Sequence, residues 1–117
     1  MPRQKNDNLF PGSNTLLVLA LLEDEDKYGY QMTSELKARS EDVFHLKAGT
    51  LYPLLHTLEE KGLVTAYERE AAAGKPRRYY HLTKEGRAAL REKEAAWHAY
   101  ANAVGRVLKG GACCAGT

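Results

Sequence analysis

The spacing of apolar residues changes at Gly62, and that change commits the chain to a mixed fold. Before it, Leu51, Leu54, Leu55 and Leu58 recur at i, i+3, i+4 and i+7, one stripe of a helix predicted from about Ala48 to Lys61. After it the period becomes two, along Leu63 to Glu70 and again along Arg78 to Thr83, as in half-buried strands. Gly62 is suited to the left-handed conformation that ends a helix. Ala71 to Arg77, with Gly74 and Pro76, reads as the tip joining two strands of a hairpin. Pro53 removes one helical hydrogen bond and crowds the carbonyl four residues back. The helix must therefore have barely begun, with its start near Ala48 to Thr50.

The remaining elements are all predicted as helices. Ser13 or Asn14, after the Pro11-Gly12 break, can cap a first helix running through Leu22. Leu16 to Leu22 is apolar on every side, so this helix belongs at the centre, and Glu23 to Asp26 form the turn that ends it. A second helix spans Gly29 to Arg39, with Tyr28, Met32 and Leu36 recurring every four residues. A polar loop around Ser40 to Asp42 leads through Val43 and Phe44 to the third. Thr83 caps a long last helix from Lys84 to about Leu108, before Gly110-Gly111.

Three helices, a hairpin and a helix make a mainly α chain with a small β-hairpin (α+β), the winged helix-turn-helix plan. The expected organisation is a flexible arm over 1–12, a winged-helix DNA-binding domain over 13–83, a C-terminal dimerisation helix over 84–109 and a disordered tail over 110–117.

Composition excludes several classes. With 117 residues there is room for one modest core. The longest apolar run falls far short of the roughly 20 residues that span a bilayer, and no cleavage-site pattern follows it, so neither membrane nor export is expected. Cys113 and Cys114 are adjacent in a Gly/Ala tail and cannot staple a core, which fits the reducing cytoplasm. There is no phosphate-binding glycine loop, nucleophile elbow or acid–base cluster, so neither enzymatic activity nor a cofactor is expected. His45, His56, His81, His98 and the two cysteines show no metal-ligand spacing and read as solvated groups. A metal- or thiol-responsive regulator remains an alternative.

The net charge of +2, from 17 Lys+Arg against 15 Asp+Glu, is too small to indicate nucleic acid by itself, so clustering must carry that inference. With the leucine stripe inward, the third helix turns Lys47, Thr50, Tyr52, Pro53, His56 and Thr57 outward, a chemistry usable in a DNA groove and equally usable as a solvated face. The hairpin tip decides between them. Lys75, Arg77 and Arg78 stand on a wing beside that helix, where backbone phosphates would lie, and Tyr79 is placed to add a phosphate hydrogen bond. Tyr80 and Leu82 alternate inward. A winged-helix protein-interaction module without DNA binding is the alternative.

Three segments resemble the PadR transcriptional regulators. They are Tyr28-Gly29-Tyr30, the stretch Ala48 to Leu55 with Leu58 to Val64, and the wing Gly74-Lys75-Pro76-Arg77-Arg78-Tyr79-Tyr80-His81-Leu82-Thr83-Lys84-Glu85-Gly86. The resemblance runs from about Asn14 to Leu108. It implies a homodimer on a palindromic operator, mostly acting as a repressor, with Thr50, Tyr52 and His56 facing the groove and Lys75, Arg77 and Arg78 holding phosphates. Gly49 and Leu51 match the motif as packing residues. The chain is similar to the group with a single C-terminal helix.

On that last helix Leu90, Trp97, Ala101, Val104 and Leu108 form a stripe left over once the domain core is complete. Pairing with a second copy about a two-fold axis would cover it and would set two recognition helices roughly 34 Å apart, one DNA turn. Glu92 to Glu94 interrupt the stripe, so a bundle is expected rather than a continuous coiled coil. Trp97 by composition is a dimer-core anchor. The resemblance to multidrug-responsive short members implies a second role, stacking planar aromatic cations at the dimer interface. Tyr100, with Phe10 or the first helix near Asn14, would then line an effector pocket, and Glu94 would favour cationic ligands.

Overall fold

The computed structural model describes residues 13–71 and 74–109. In chain order the elements are α1 (Ser13–Leu21), β1 (Lys27–Tyr28), α2 (Gly29–Arg39), α3 (Ala48–Glu60), β2 (Val64–Glu70), β3 (Pro76–Leu82) and α4 (Lys84–Leu108). The predicted order holds, with one addition. β1 joins the hairpin as a third antiparallel strand, giving the order β1-β3-β2. Lys27 lies opposite Tyr80 and Tyr28 opposite Tyr79. Two residues are too few to show a period, so pairing with β3 alone reveals this strand. β3 also starts earlier than expected, at Pro76, because a proline is tolerated as the first residue of a strand.

The core collects one face from each element. Val18, Leu19, Leu21 and Leu22 meet Met32 and Leu36 of α2, Leu51, Leu55 and Leu58 of α3, then Val64, Tyr80, Leu82 and Leu90. Leu90 is 2% exposed. Its assignment to a dimer seam is therefore corrected, because the first turns of α4 complete the chain's own core and the surplus stripe begins beyond them.

Both helix ends flanking the recognition segment are built in detail. Gly62, at φ +77°, closes α3 in the left-handed conformation; its N–H bonds Glu59 O at 3.0 Å and that of Leu63 bonds Leu58 O at 2.9 Å. α2 ends the same way without a glycine. Glu41 and Asp42 sit at φ 53° and 70°, the Asp42 N–H reaches Lys37 O at 2.9 Å, and Ser40 Oγ accepts from Phe44 N–H at 2.9 Å. Thr83 caps α4 by accepting from Gly86 N–H at 2.9 Å, while its hydroxyl points at the carbonyls of Gly62 and Leu63, 2.7 and 3.0 Å away. α4 starts so close to β2 that a Cβ on Gly86 would overlap the Leu63 carbonyl oxygen and lie 2.6 Å from Leu82 Cδ1.

The acidic turn after α1 supplies partners to its neighbours. Lys27 is fully buried, donating to Leu21 O at 2.6 Å and to Asp24 Oδ1 at 2.9 Å, with Glu35 Oε1 3.3 Å away. The Lys27 hydrogen bond holds the Asp24 carboxyl below its ordinary pKa, outweighing a slight desolvation. Glu23 pairs with Arg91 of α4, and its carbonyl accepts from Arg87 at 3.3 Å.

Candidate nucleic-acid interface

α3 starts from an extended Lys47 with no side-chain cap. Lys47, Thr50, His56 and Thr57 are exposed along its outer side, as the leucine stripe requires. Pro53 is the sixth helical residue, deeper than a first-turn position, and lies on the solvent face where the carbonyl it leaves unbonded is open to water. Thr57 Oγ1 donates to Pro53 O at 3.1 Å. His56 Nε2 lies 3.3 Å from the Glu60 carboxylate one turn on.

Tyr52 departs from the simple outward picture. It is 46% exposed, and its ring lies over the first residue of α2. A Cβ on Gly29 would overlap the Tyr52 hydroxyl and lie 2.6 Å from Cζ. Half of this side chain therefore packs α3 against α2, and only the remainder is available to a groove.

The wing divides its cations between two faces, because successive strand residues point to opposite sides. Arg78, Tyr80 and Leu82 share the inner face. The Arg78 guanidinium sits 3.4 Å from Glu59 of α3, so part of its charge is already neutralised and it tethers the wing to the recognition helix. Arg77, Tyr79 and His81 share the outer face with Tyr67 and Arg69, which stand opposite Tyr79 and Arg77 in the ladder. Lys75 is exposed at the tip.

The outer face is a ladder of stacked rings and guanidinium groups. Arg77 lies 4.4 Å over the Tyr28 ring and Arg69 4.0 Å over Tyr79. Tyr79 stacks on Tyr67 at 5.9 Å and meets Tyr28 edge-on at 5.3 Å. The Tyr79 hydroxyl beside Arg69 raises that guanidinium above its ordinary pKa. Tyr79 is thus half-buried in the ladder, where its ring and hydroxyl oxygen hold Arg69. Below it, Tyr67 Oη donates to Asp26 Oδ2 at 2.6 Å, and His81 Nδ1 is 2.9 Å from Oδ1. Burial raises the Asp26 carboxyl, but the Tyr67 and His81 hydrogen bonds outweigh it and the net shift is downward. Arg69 and Asp26 were not singled out as site residues by the sequence, and Tyr28, expected on the apolar side of α2, instead lies in β1 opposite Tyr79. The period-two pattern placed Arg69 on a face, but only the register sets it beside Arg77.

Beyond Leu90, α4 extends away from the core; at 25 residues it is about 37 Å long. Trp97, Tyr100 and Val104 are each about 40% exposed, and Val107 and Leu108 nearly 80%. Ala101 is half-buried. Trp97 meets His98 edge-on at 5.3 Å. Asn14 is exposed on the first turn of α1. The Glu94 carboxylate accepts from Arg91 at 2.6 Å. Its charge is thus partly compensated, while the side chain stays half-exposed. Phe10, Cys113 and Cys114, with the proposed arm and tail, lie outside the described residues. Among the described residues no three His, Cys, Asp or Glu are grouped to hold a metal ion, and no helix is long and apolar enough to cross a membrane.

A short helix pair, with its second member exposed beside a projecting cationic hairpin, defines a winged helix-turn-helix protein. Comparison with known proteins carries this to a family. Residues 18–92 match the transcriptional regulator PadR-like family, and the chain belongs to it. It is 40% identical to the transcriptional regulator Rv3488 of Mycobacterium tuberculosis over 81 residues, 69% of this chain and 72% of that protein. A PadR family transcriptional regulator from Eggerthella lenta superposes with a TM-score of 0.72 at 38% identity, covering 83% of this chain and 82% of that one. Another from Clostridium difficile gives 0.69 at 33% identity, covering 80% and 95%. The protein is a transcriptional regulator and not an enzyme.

Proposed function

We propose that the protein is a cytoplasmic repressor that binds a palindromic operator as a homodimer. Lys47, Thr50, His56 and the free edge of Tyr52 face the major groove, while Lys75 and Arg77, with Arg78 shared with Glu59, meet phosphates. The observation that carries the dimer is the second half of α4, where Trp97, Val104, Val107 and Leu108 leave an exposed apolar side on a helix that projects from a finished core. A second copy about a two-fold axis covers that side and presents two recognition helices to two half-sites.

Selection of DNA fragments by the purified protein tests this directly. A palindrome with half-sites about one turn apart, roughly 34 Å, is the expected outcome. Val104→Glu should give monomers in sedimentation and lose operator affinity; a dimeric, fully binding variant would refute the α4 pairing. The same axis would bring two Trp97 rings together as a site for a planar aromatic effector. Flat aromatic dyes should then quench Trp97 fluorescence and weaken operator binding, and a lack of both effects removes the effector from the proposal.

A further inference from the structure

The last turn of α3 ends in Glu59 and Glu60 and carries no basic residue. Carboxylates there face the negative end of the helix dipole, so helix stability does not account for them. Glu59 instead lies 3.4 Å from the Arg78 guanidinium of the wing. Arg78 has a second carboxylate closer at hand in the sheet, because Glu68 of β2 is its ladder partner. The guanidinium nevertheless turns to α3, passing 5.9 Å over the ring of the buried Tyr80. Lys75 and Arg77, on either side of the tip proline, form no ion pair among the described residues. The place of the contact along the wing matters as well. β1 pairs with β3 only at Tyr79 and Tyr80, so the wing is three-stranded there and two-stranded from Arg78 outward. A two-stranded ribbon is marginal by itself, and the Glu59 contact grips it at the first residue past the third strand.

We propose that Glu59 is a specificity-determining residue that touches no DNA and acts by holding Arg78, so that the wing moves with the recognition helix. The inference rests on the DNA-binding reading and deepens it, turning an acidic side chain into a device against wrong sequences. Non-specific binding is almost wholly the attraction of cations for phosphates, whatever the bases. An untethered wing would carry Arg78 to a phosphate whether or not α3 is seated in the groove. With Glu59 in place, part of that charge is cancelled, and Arg78 reaches the backbone only in the orientation that α3 sets. On the operator the cost is small, because a seated α3 delivers a wing already ordered. On other DNA the contact is lost. Discrimination then comes from what Glu59 denies to the competitor rather than from a bond to the correct site. Glu68 lacks this property. It bears the same charge beside Arg78 but belongs to the wing itself, and it ties nothing to α3.

The test compares affinities of the full-length protein, at about 150 mM salt, for the selected operator and for a duplex of equal length with scrambled half-sites. Glu59→Gln should bind the scrambled duplex roughly fivefold more tightly and the operator within about twofold of wild type, so the ratio falls roughly fivefold. Glu68→Gln removes the same charge without a tether and should leave the ratio unchanged. In an Arg78→Gln background, Glu59→Gln should no longer alter the ratio. Thermal midpoints should stay within a few degrees throughout, because exposed ion pairs contribute little to stability. Wild type that does not distinguish the two duplexes would sink the DNA reading and this inference with it. Wild type that discriminates, beside a Glu59→Gln variant with an unchanged ratio, overturns this inference alone. An equal fall in the ratio for Glu68→Gln would assign the effect to net charge, and a full effect without Arg78 would assign it to direct repulsion of phosphates; either result removes the tether.

Discussion

Gly86→Ala reverses the sign that helix propensity alone would give. In an unencumbered helix the change gains about 1 kcal/mol, because glycine gives up more backbone freedom on folding. At position 86 the added Cβ overlaps the Leu63 carbonyl oxygen, a backbone atom fixed by the Schellman turn, and presses on Leu82 Cδ1 at 2.6 Å. Relief requires α4 to retreat from β2. Such overpacking costs roughly 1–3 kcal/mol. Retreat also pulls the Thr83 hydroxyl from the carbonyls of Gly62 and Leu63, which share its one proton, a loss of about 1 kcal/mol net. After the propensity gain the balance is about 1–3 kcal/mol unfavourable, a drop of roughly 5–10 °C in thermal midpoint. Gly49→Ala is the control. It too is a helical glycine, but contrary to the packing role expected of it, it is exposed and its Cβ would meet nothing within 4 Å, so the midpoint should hold or rise by a few degrees. Both are read by calorimetry or circular dichroism at one protein concentration, because the proposed dimerisation would make the midpoint concentration-dependent. A Gly86→Ala midpoint equal to or above that of Gly49→Ala would refute the close-approach argument.

Gly29→Ala should displace the Tyr52 ring and weaken operator binding, with less effect in a Tyr52→Ala background; a double-mutant cycle with no coupling would remove Tyr52 from the α2–α3 contact. Asp26 has a depressed folded pKa, so its contribution is present above the unfolded value of about 3.9 and is lost as pH falls through the folded one. Asp26→Asn should therefore flatten the decline of stability below about pH 4 in acid titrations, and an unchanged acid limb would show that the Tyr67 and His81 bonds do not hold it.

The helices were legible because each shows a repeat long enough to count. Gly29 to Arg39 and Lys84 to Leu108 were predicted at the residues where they occur, and Gly62 marked the end of α3. What stayed hidden depends on contacts distant in sequence. β1 has no period of its own, and the burial of Lys27 depends on Asp24 and on Glu35 in the next helix. Leu90 fits the α4 stripe by spacing, yet belongs to the core because the helix is pinned at Gly86. The wing's three cations looked like one cluster in sequence. Strand alternation sends Arg77 to the tyrosine ladder and Arg78 to Glu59, and only the faces, not the register, were readable beforehand.

The Thr83–Gly86 junction makes α4 a lever rather than a tether. Its first turn is clamped to the carbonyls that follow α3, so in the proposed dimer a short hydrogen-bonded junction joins the pairing helix to the groove-facing one. Over about 37 Å, a change of roughly 10° in the crossing of two such helices displaces the far end by about 6 Å. That is nearly two base-pair steps, at about 3.4 Å each. A small adjustment where the subunits meet would thus take one recognition helix out of register with its half-site, without any change inside the winged domain.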